Sequence, residues 1–307
     1  MELRQLQYFL TVVEEANFTR AAARLHLAQP GVSAQIRQLE RELGQPLLDR
    51  SGRTVTTTTV GEAVVPFARA ALAAIAGLRQ TVDEFTGLMR GQVTIGLVSG
   101  AATDEFDVAA VLADFHDDHP QVEISLTENT SEWMLTTLLR GELDLALIGL
   151  ANEDPPPGVS LQIVIDVPLV AAMAPDDPLL TLAGRTALPL AKLAGRPLIS
   201  LPRGTGLRGV LERACTQAGF QPRIAFEAAA PHLLARLAAR GLGVAILPEL
   251  PPEAAAELGL RTRPLTAPGL RGRVALAWRT DGPAAPAAKA LLARMRKAFP
   301  TAHSSQA

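Results

Sequence analysis

Cysteine is nearly missing: one residue in 307, Cys215, excludes an intramolecular disulfide and suits a reducing compartment. Aromatic residues make up 4% of the chain, so its cores have to be assembled from Ala, Leu and Val. No apolar run reaches the ~18 residues a membrane-spanning helix needs. The opening Met-Glu-Leu-Arg-Gln has no signal-peptide character, and a soluble cytoplasmic protein is expected. Nor is there an excess of one charge, since 29 basic against 31 acidic residues leave a formal −2. Residues 1–58 hold seven Arg and no Lys against six Asp and Glu, a net +1, so any hold on a polyanion must come from where the arginines point.

Catalytic signatures are wanting as well. Gly96-Leu97-Val98-Ser99-Gly100 is one residue out of register with a nucleophile elbow, which centres its serine between glycines. Gly204-Thr205-Gly206 has neither the lysine and hydroxyl of a P-loop nor the spacing of a dinucleotide fingerprint. His116 and His119 precede Pro120 at a helix end, where solvated histidines that favour the helix dipole are expected in place of metal ligands. Cys215 has no second cysteine to resolve a sulfenate, which points to a buried apolar role. No enzyme activity, cofactor or metal is expected.

What is present begins at Phe18. Thr19 is placed to cap a short helix whose Ala21, Ala22 and Ala23 let another helix approach closely. From Pro30 to Gly44, Val32, Ile36, Leu39 and Leu43 form one helical stripe, with Pro30 suited to the first position and Gly44 to the end. Gln29, Pro30, Ser33, Ala34, Arg37 and Arg41 share the outward face. Two short helices joined by a tight turn read as a helix-turn-helix, whose second helix enters the major groove of DNA. Leu47 and Leu48, the turn Asp49 to Arg53 and the β-prone run Thr54 to Thr58 read as a two-stranded wing presenting Arg50 and Arg53. Thr19 and Ser33 are suited to phosphate contacts, Gln29 to a base edge, Arg37 to either and Arg53 to the minor groove or backbone.

Before this pair, Leu3, Leu6, Phe9, Leu10 and Val13 form a buttressing helix. After the wing, Thr59-Val60-Gly61-Glu62 reads as a capping box. The helix it opens carries Val64, Phe67, Ala71, Ile75, Leu78, Val82, Phe85 and Met89, a narrow heptad seam about 45 Å long at about 1.5 Å per residue. So thin a stripe calls for a second subunit through Phe67, Ala71, Ile75, Leu78, Val82 and Phe85, the alternative being a helix lying on its own domain. Pro66 is awkward there and is expected to bend the first turns or delay the start. Beyond Gly91, buried strands alternate with helices, as in a parallel sheet covered on both faces. The strands are Gln92 to Val98, Val122 to Leu126, Leu143 to Leu150, Leu161 to Met173, Pro197 to Leu201, Ile224 to Phe226, Gly243 to Leu247 and Val274 to Trp278. The first helix of this part is expected over Asp104 to Asp118.

Residues 1–62 resemble the winged helix-turn-helix of LysR-type transcriptional regulators. Leu3, Phe9, Phe18, Ala21, Ala22, Leu25, Gln29, Ser33, Ile36, Leu39, Glu40, Leu43, Leu47, Arg50 and Gly61 stand where that family's pattern expects them. The remainder resembles the family's effector domain at Phe115 to Pro120, Gly141 to Leu147, Gly204 to Arg208 and Gly241 to Pro248. The resemblance implies a winged helix-turn-helix over 1–58 and a dimerising linker helix over 59–90. It also implies two Rossmann-like lobes of the periplasmic-binding-protein type, over 91–163 with 268–301 and over 164–267. The chain would cross between lobes near Ile163 and return near Pro268, leaving 302–307 as a disordered tail. The family often has a longer polar side chain where Ala34 stands, which implies one fewer base contact.

In open α/β sheets ligands sit beyond the carboxyl ends of the strands. That rule nominates Ser99, Gly100, Ala101 and Thr103, then Thr127 and Glu128, then Ile148 and Gly149. From the other lobe it nominates Ser200, Leu201, Arg203, Thr205 and Arg208, with Val244 at the opposite wall. Backbone donors at Gly204 to Gly206 with Arg203 or Arg208 suggest an anionic effector, the alternative being that these arginines only pair with surface carboxylates. The expected whole is an effector-controlled regulator binding an interrupted palindrome as a homodimer or homotetramer. Its rival is a two-lobed solute-binding or catalytic domain with an N-terminal assembly module.

Overall fold

The computed structural model describes residues 1–52, 54–85, 89–99, 106–152, 154–182, 187–266 and 270–302, leaving aside the side chains at 73, 76, 79–85 and 182. The chain divides into two compact units, the first running from Met1 to Gly91 and the second beginning at Gln92.

The first unit is three helices, a two-stranded wing and a long helix: α1 (Leu3–Glu15), α2 (Phe18–Arg24), α3 (Gln29–Leu43), β1 (Leu48–Asp49), β2 (Thr56–Thr57) and α4 (Thr59–Phe85). Its core joins Phe9 and Val12 of α1, Ala21 and Ala22 of α2, and Val32, Ile36 and Leu39 of α3 with Leu47 and with Ala68 of α4. Leu43, the last residue of the expected stripe, is exposed, because α3 ends on the left-handed Gly44 (φ 73°) and the chain turns away there. The wing strands pair antiparallel, Leu48 opposite Thr57 and Asp49 opposite Thr56.

The second unit runs β3 (Gly91–Leu97), α5 (Val108–Asp118), β4 (Val122–Glu128), α6 (Ser131–Leu139), β5 (Leu145–Gly149) and β6 (Val159–Met173). It continues with α7 (Leu179–Leu182), β7 (Leu188–Pro189), β8 (Pro197–Ser200), α8 (Gly206–Gln217), β9 (Arg223–Glu227), α9 (Pro231–Ala239) and β10 (Val244–Pro248). It closes with α10 (Pro252–Glu257), β11 (Arg261–Thr266), β12 (Arg271–Arg279) and α11 (Pro286–Ala298). Strand order is β4-β3-β5-β12-β6-β10-β8-β9, with β11 pairing β6 and β7. The sheet is mixed where a parallel one was expected. Pairs β3–β5, β8–β10 and β8–β9 are parallel, but β12 runs antiparallel to β5 and β6, and β6 antiparallel to β10. Continuous apolar runs mark strands buried on both faces without fixing their direction. Helix α5 starts at Val108, later than the expected Asp104, because Asp107 accepts a hydrogen bond from Ala110 N and caps it there.

Strand β6 serves both lobes. Val159 to Pro168 pair with β12, whereas Leu169 to Ala172 pair with β10 and Val170 to Met173 with β11. Where the partners change, the Asp166 carboxylate, only 2% exposed, sits between Arg271 and Arg273 of β12 and accepts a hydrogen bond from Arg271. Each lobe has its own core of Leu, Ala, Val and Ile: Met134, Leu138, Ala146 and Ile148 in one, Leu198, Leu211, Cys215 and Val244 in the other. No described helix is long and apolar enough to cross a membrane.

Candidate nucleic-acid interface and ligand cleft

The outward face of α3 is built by its neighbours. Asn17, not Thr19, caps α2: its Oδ1 accepts from Thr19 N at 2.8 Å and Arg20 N at 3.1 Å, leaving Thr19 in the first turn with an exposed side chain. Asn and Thr are both good caps, and local sequence did not choose between them. On α3, Gln29, Pro30, Ala34 and Arg37 are exposed as expected. Ser33 is not, at 7% exposure: next to Val32 and one turn before Ile36, it borders the apolar stripe. Several arginines of this unit are spoken for: Arg4 pairs with Glu2, Arg20 with Glu15, Arg24 with Glu14 and Glu15, and Arg50 with Glu40. Among the described residues of α3, Arg37 and Arg41 make no ion pair.

Arg50, expected at the wing contact, is engaged within the unit. Its guanidinium donates to Glu40 Oε2 at 2.7 Å and lies 5.1 Å from the centre of the Phe18 ring, a cation–π geometry. Nothing in periodicity pairs residue 50 with residue 40. The turn after it is shaped by Asp49, whose carboxylate accepts from Ser51 N at 2.9 Å and Ser51 Oγ at 2.7 Å. Those two bonds hold the Asp49 carboxyl below its ordinary range, the backbone one first. Arg53, the expected wing-tip contact, lies outside the described residues.

Helix α4 starts one residue inside its cap: Thr58 Oγ1, not Thr59, accepts from Gly61 N at 3.0 Å, and Thr58 Oγ1 donates to Pro46 O at 2.7 Å. The helix begins at Thr59 and runs on through Pro66, so its start is not delayed. One face, with Val64, Ala68, Ala71 and Leu72, packs on the unit's own core, where Ala71, expected in the seam, is half-buried. Phe67 is 75% and Leu78 65% exposed, while Ile75 is half-buried. The side chains of Val82 and Phe85 lie outside the described residues.

In the second unit the strand ends do meet. Ser99 Oγ donates to Glu128 Oε1 at 2.9 Å beside the half-buried Thr127, and Gly149 N donates to Ser131 Oγ at 3.0 Å. Across the lobes, Glu132 N donates to Gly204 O at 3.1 Å. A Cβ on Gly206 would lie 2.2 Å from Gly149 C, so the first turn of α8 rests directly on the end of β5. Thr205 turns its hydroxyl back to Pro202 O at 2.7 Å. Gly100, Ala101 and Thr103 lie outside the described residues.

Several nominated residues face elsewhere. Ile148 and Val244 are fully buried in the cores of their lobes, because strand side chains alternate and these point inward, Val244 at the opening of β10. Ser200 is 0% exposed with no partner for its hydroxyl, and Leu201 is 9% exposed. Arg208 is no anion perch. At 5% exposure it donates to Glu212 Oε1 at 2.8 Å, Glu227 Oε2 at 3.2 Å and Leu201 O at 3.3 Å, so its charge is met within the lobe. Arg203 remains 84% exposed, with Glu212 3.9 Å away. Cys215 is buried, and burial, then Glu212, pushes its thiol up to about 11.

The chain matches two family models: "Bacterial regulatory helix-turn-helix protein, lysR family" over residues 3–62, and "LysR substrate binding domain" over residues 86–300. The HTH-type transcriptional regulator ShiR of Corynebacterium glutamicum is 35% identical over 249 residues, covering 80% of this chain and 82% of that protein. The DNA-binding transcriptional dual regulator OxyR of Escherichia coli K12 is 31% identical over 286 residues, covering 92% of this chain and 91% of that one. Among solved structures, a full-length OxyR variant from Pseudomonas aeruginosa matches with a TM-score of 0.69 at 27% identity, covering 96% of this chain and 95% of that one.

Proposed function

Because this chain belongs to the LysR family of DNA-binding transcriptional regulators, carrying both its helix-turn-helix and its substrate-binding domain, we propose how it reads DNA and what controls it. Helix α3 enters the major groove, Gln29 meets a base edge, and Thr19 and Arg37 meet phosphates. The observation that carries this reading is the exposed face of α3, on which Gln29 and Arg37 stand clear of any ion pair beside the wing. The unit is close to neutral, so the arginines left unpaired set its attraction for DNA. A second copy joins through the exposed Phe67 and Leu78 of α4, giving two recognition helices for an interrupted palindrome in the cytoplasm.

Activity is set by a small molecule held where β3, β4 and β5 end against the Gly204 to Gly206 turn. With Arg208 already neutralised, Arg203 and backbone N–H groups are the donors left for an anionic effector. Relatives include proteins named as hydrogen peroxide-inducible genes activators. A disulfide switch within one chain needs two cysteines, and Cys215, buried with its thiol at about 11, is a poor peroxide target.

Selection of binding sites from a randomised duplex pool, followed by fluorescence anisotropy of the full chain, tests the DNA reading. The expected result is a two-fold symmetric site bound about 10³-fold or more tighter than random duplex. Binding that neither selects a site nor weakens with salt would falsify it. Isothermal titration of the full chain with charged and uncharged metabolites tests the effector reading, which fails if only neutral or cationic compounds bind.

A further inference from the structure

Glu40 lies on α3, yet its carboxylate serves the wing. Oε1 accepts from both Leu47 N at 3.0 Å and Leu48 N at 3.1 Å, and Oε2 accepts from Arg50 at 2.7 Å. Three donors converge on a side chain 14% exposed, while the Arg50 side chain is 31% exposed and lies over Phe18. The same segment continues into α4. Thr58 N donates to Leu47 O at 3.0 Å, and Gly61 approaches that carbonyl so closely that a Cβ would lie 2.0 Å from it. Glu40 thus pins the base of the wing to the recognition helix, and the Leu47 carbonyl joins that base to the start of α4.

This arrangement has an electrostatic side. A wing arginine beside a DNA-reading helix is a natural phosphate ligand, and each phosphate contact adds sequence-independent affinity. Here that cation is paired with Glu40 and lies over the face of Phe18. We propose that Glu40 is a positioning residue of the DNA-binding unit, holding Arg50 in the fold and off the phosphate backbone, and so favouring selected over random sites. The proposal rests on the chain's binding DNA, not on which bases α3 reads.

Glu40→Gln separates the two duties. The Gln carbonyl still accepts from Leu47 and Leu48, while its amide confronts the Arg50 guanidinium donor to donor and releases it. Anisotropy of the full chain on random-sequence duplex is measured at several NaCl concentrations, with circular dichroism to establish folding. A steep wild-type slope of log K against log [NaCl] first establishes the binding itself. Glu40→Gln is expected to bind random duplex more tightly, with a slope steeper by about 0.9, one phosphate contact, and to discriminate less for the selected site. In Glu40→Gln/Arg50→Gln the slope returns to wild type, and Arg50→Gln alone leaves it unchanged. A folded Glu40→Gln protein with the wild-type slope overturns the proposal. So does an Arg50→Gln slope shallower by about 0.9, since Arg50 would then already be on a phosphate, and that variant decides the matter even if Glu40→Gln does not fold.

Discussion

Gln29 opens α3 and Arg37 stands two turns further along, both exposed and, among the described residues, neither engaged by another side chain. They should fail differently. Arg37→Ala is expected to weaken binding to every sequence alike and to flatten the salt slope by about 1, whereas Gln29→Ala relaxes preference at one base pair per half-site, roughly 1–3 kcal/mol. Anisotropy on single-substitution duplexes separates the two, and equal loss of specificity from both would contradict the assignment. Cys215 makes a prediction about pH. Burial raises its folded pKa to about 11 from an ordinary 9.0, so between those values the unfolded chain has released a proton that the folded chain retains. Its contribution is therefore complete below pH 9 and is lost as pH rises toward 11. Cys215→Ala should flatten that alkaline decline in urea unfolding, and alkylation of the native wild type should be slow up to pH 9. Rapid modification at pH 8 would mean the thiol is reachable.

At the level of elements, α4 has two faces with different fates. Val64, Ala68 and Leu72 face the core of their own unit, while Phe67 and Leu78 project outward. The paired substitution Phe67→Asp/Leu78→Asp should leave far-ultraviolet circular dichroism unchanged and yield a monomer in sedimentation velocity at micromolar concentration. A persistent dimer would move the proposed interface elsewhere. The start of the same helix is intolerant for a different reason. Gly61→Ala drives a methyl to within 2.0 Å of the Leu47 carbonyl, backbone against backbone, where no side chain can swing aside. A loss of about 1–3 kcal/mol is expected from overpacking alone, read as an earlier denaturation of the DNA-binding unit. A neutral effect would show that α4 can lift off β1 freely. The apolar spacing announced α4 as one long helix, but a stripe seen in sequence does not say which of its residues turn inward. Ala71 went to the core and Phe67 to solvent because α1 lies against only one side.

Across the effector domain, the two lobes meet at backbone. Gly206 on α8 leaves no room for a Cβ against Gly149, and Glu132 N reaches across to Gly204 O. Gly206→Val should force the first turn of α8 away from β5. At about 1–3 kcal/mol of overpacking, and about 2–4 °C per kcal/mol for a domain of this size, calorimetry should record a fall of several degrees. No change would mean that the lobes part at this point without cost. Asp166, held between Arg271 and Arg273 where β6 changes partners, ties the two lobes' shared strands at the other extreme of the contact order, more than a hundred residues apart in sequence.

Residues 18–53 by themselves determined the helix-turn-helix, because the stripe of Val32, Ile36 and Leu39 and the small Ala21 and Ala22 suffice to specify two helices and how closely they pack. The alternation of apolar runs and helices likewise determined an α/β second part: β3 to β6, β8 to β10 and β12 lie where the apolar runs put them, whereas the short β7, α7 and α10 and the edge strand β11 were not marked by any such run. Which polar groups remain available was decided only by the tertiary structure. Ser33, Arg50 and Arg208 have the right chemistry for contacts with DNA or an anion, yet packing buries the first, Glu40 holds the second, and Glu212 with Glu227 neutralises the third. An ion pair depends on distance in space, and a residue's neighbours across the fold are not written in its local spacing.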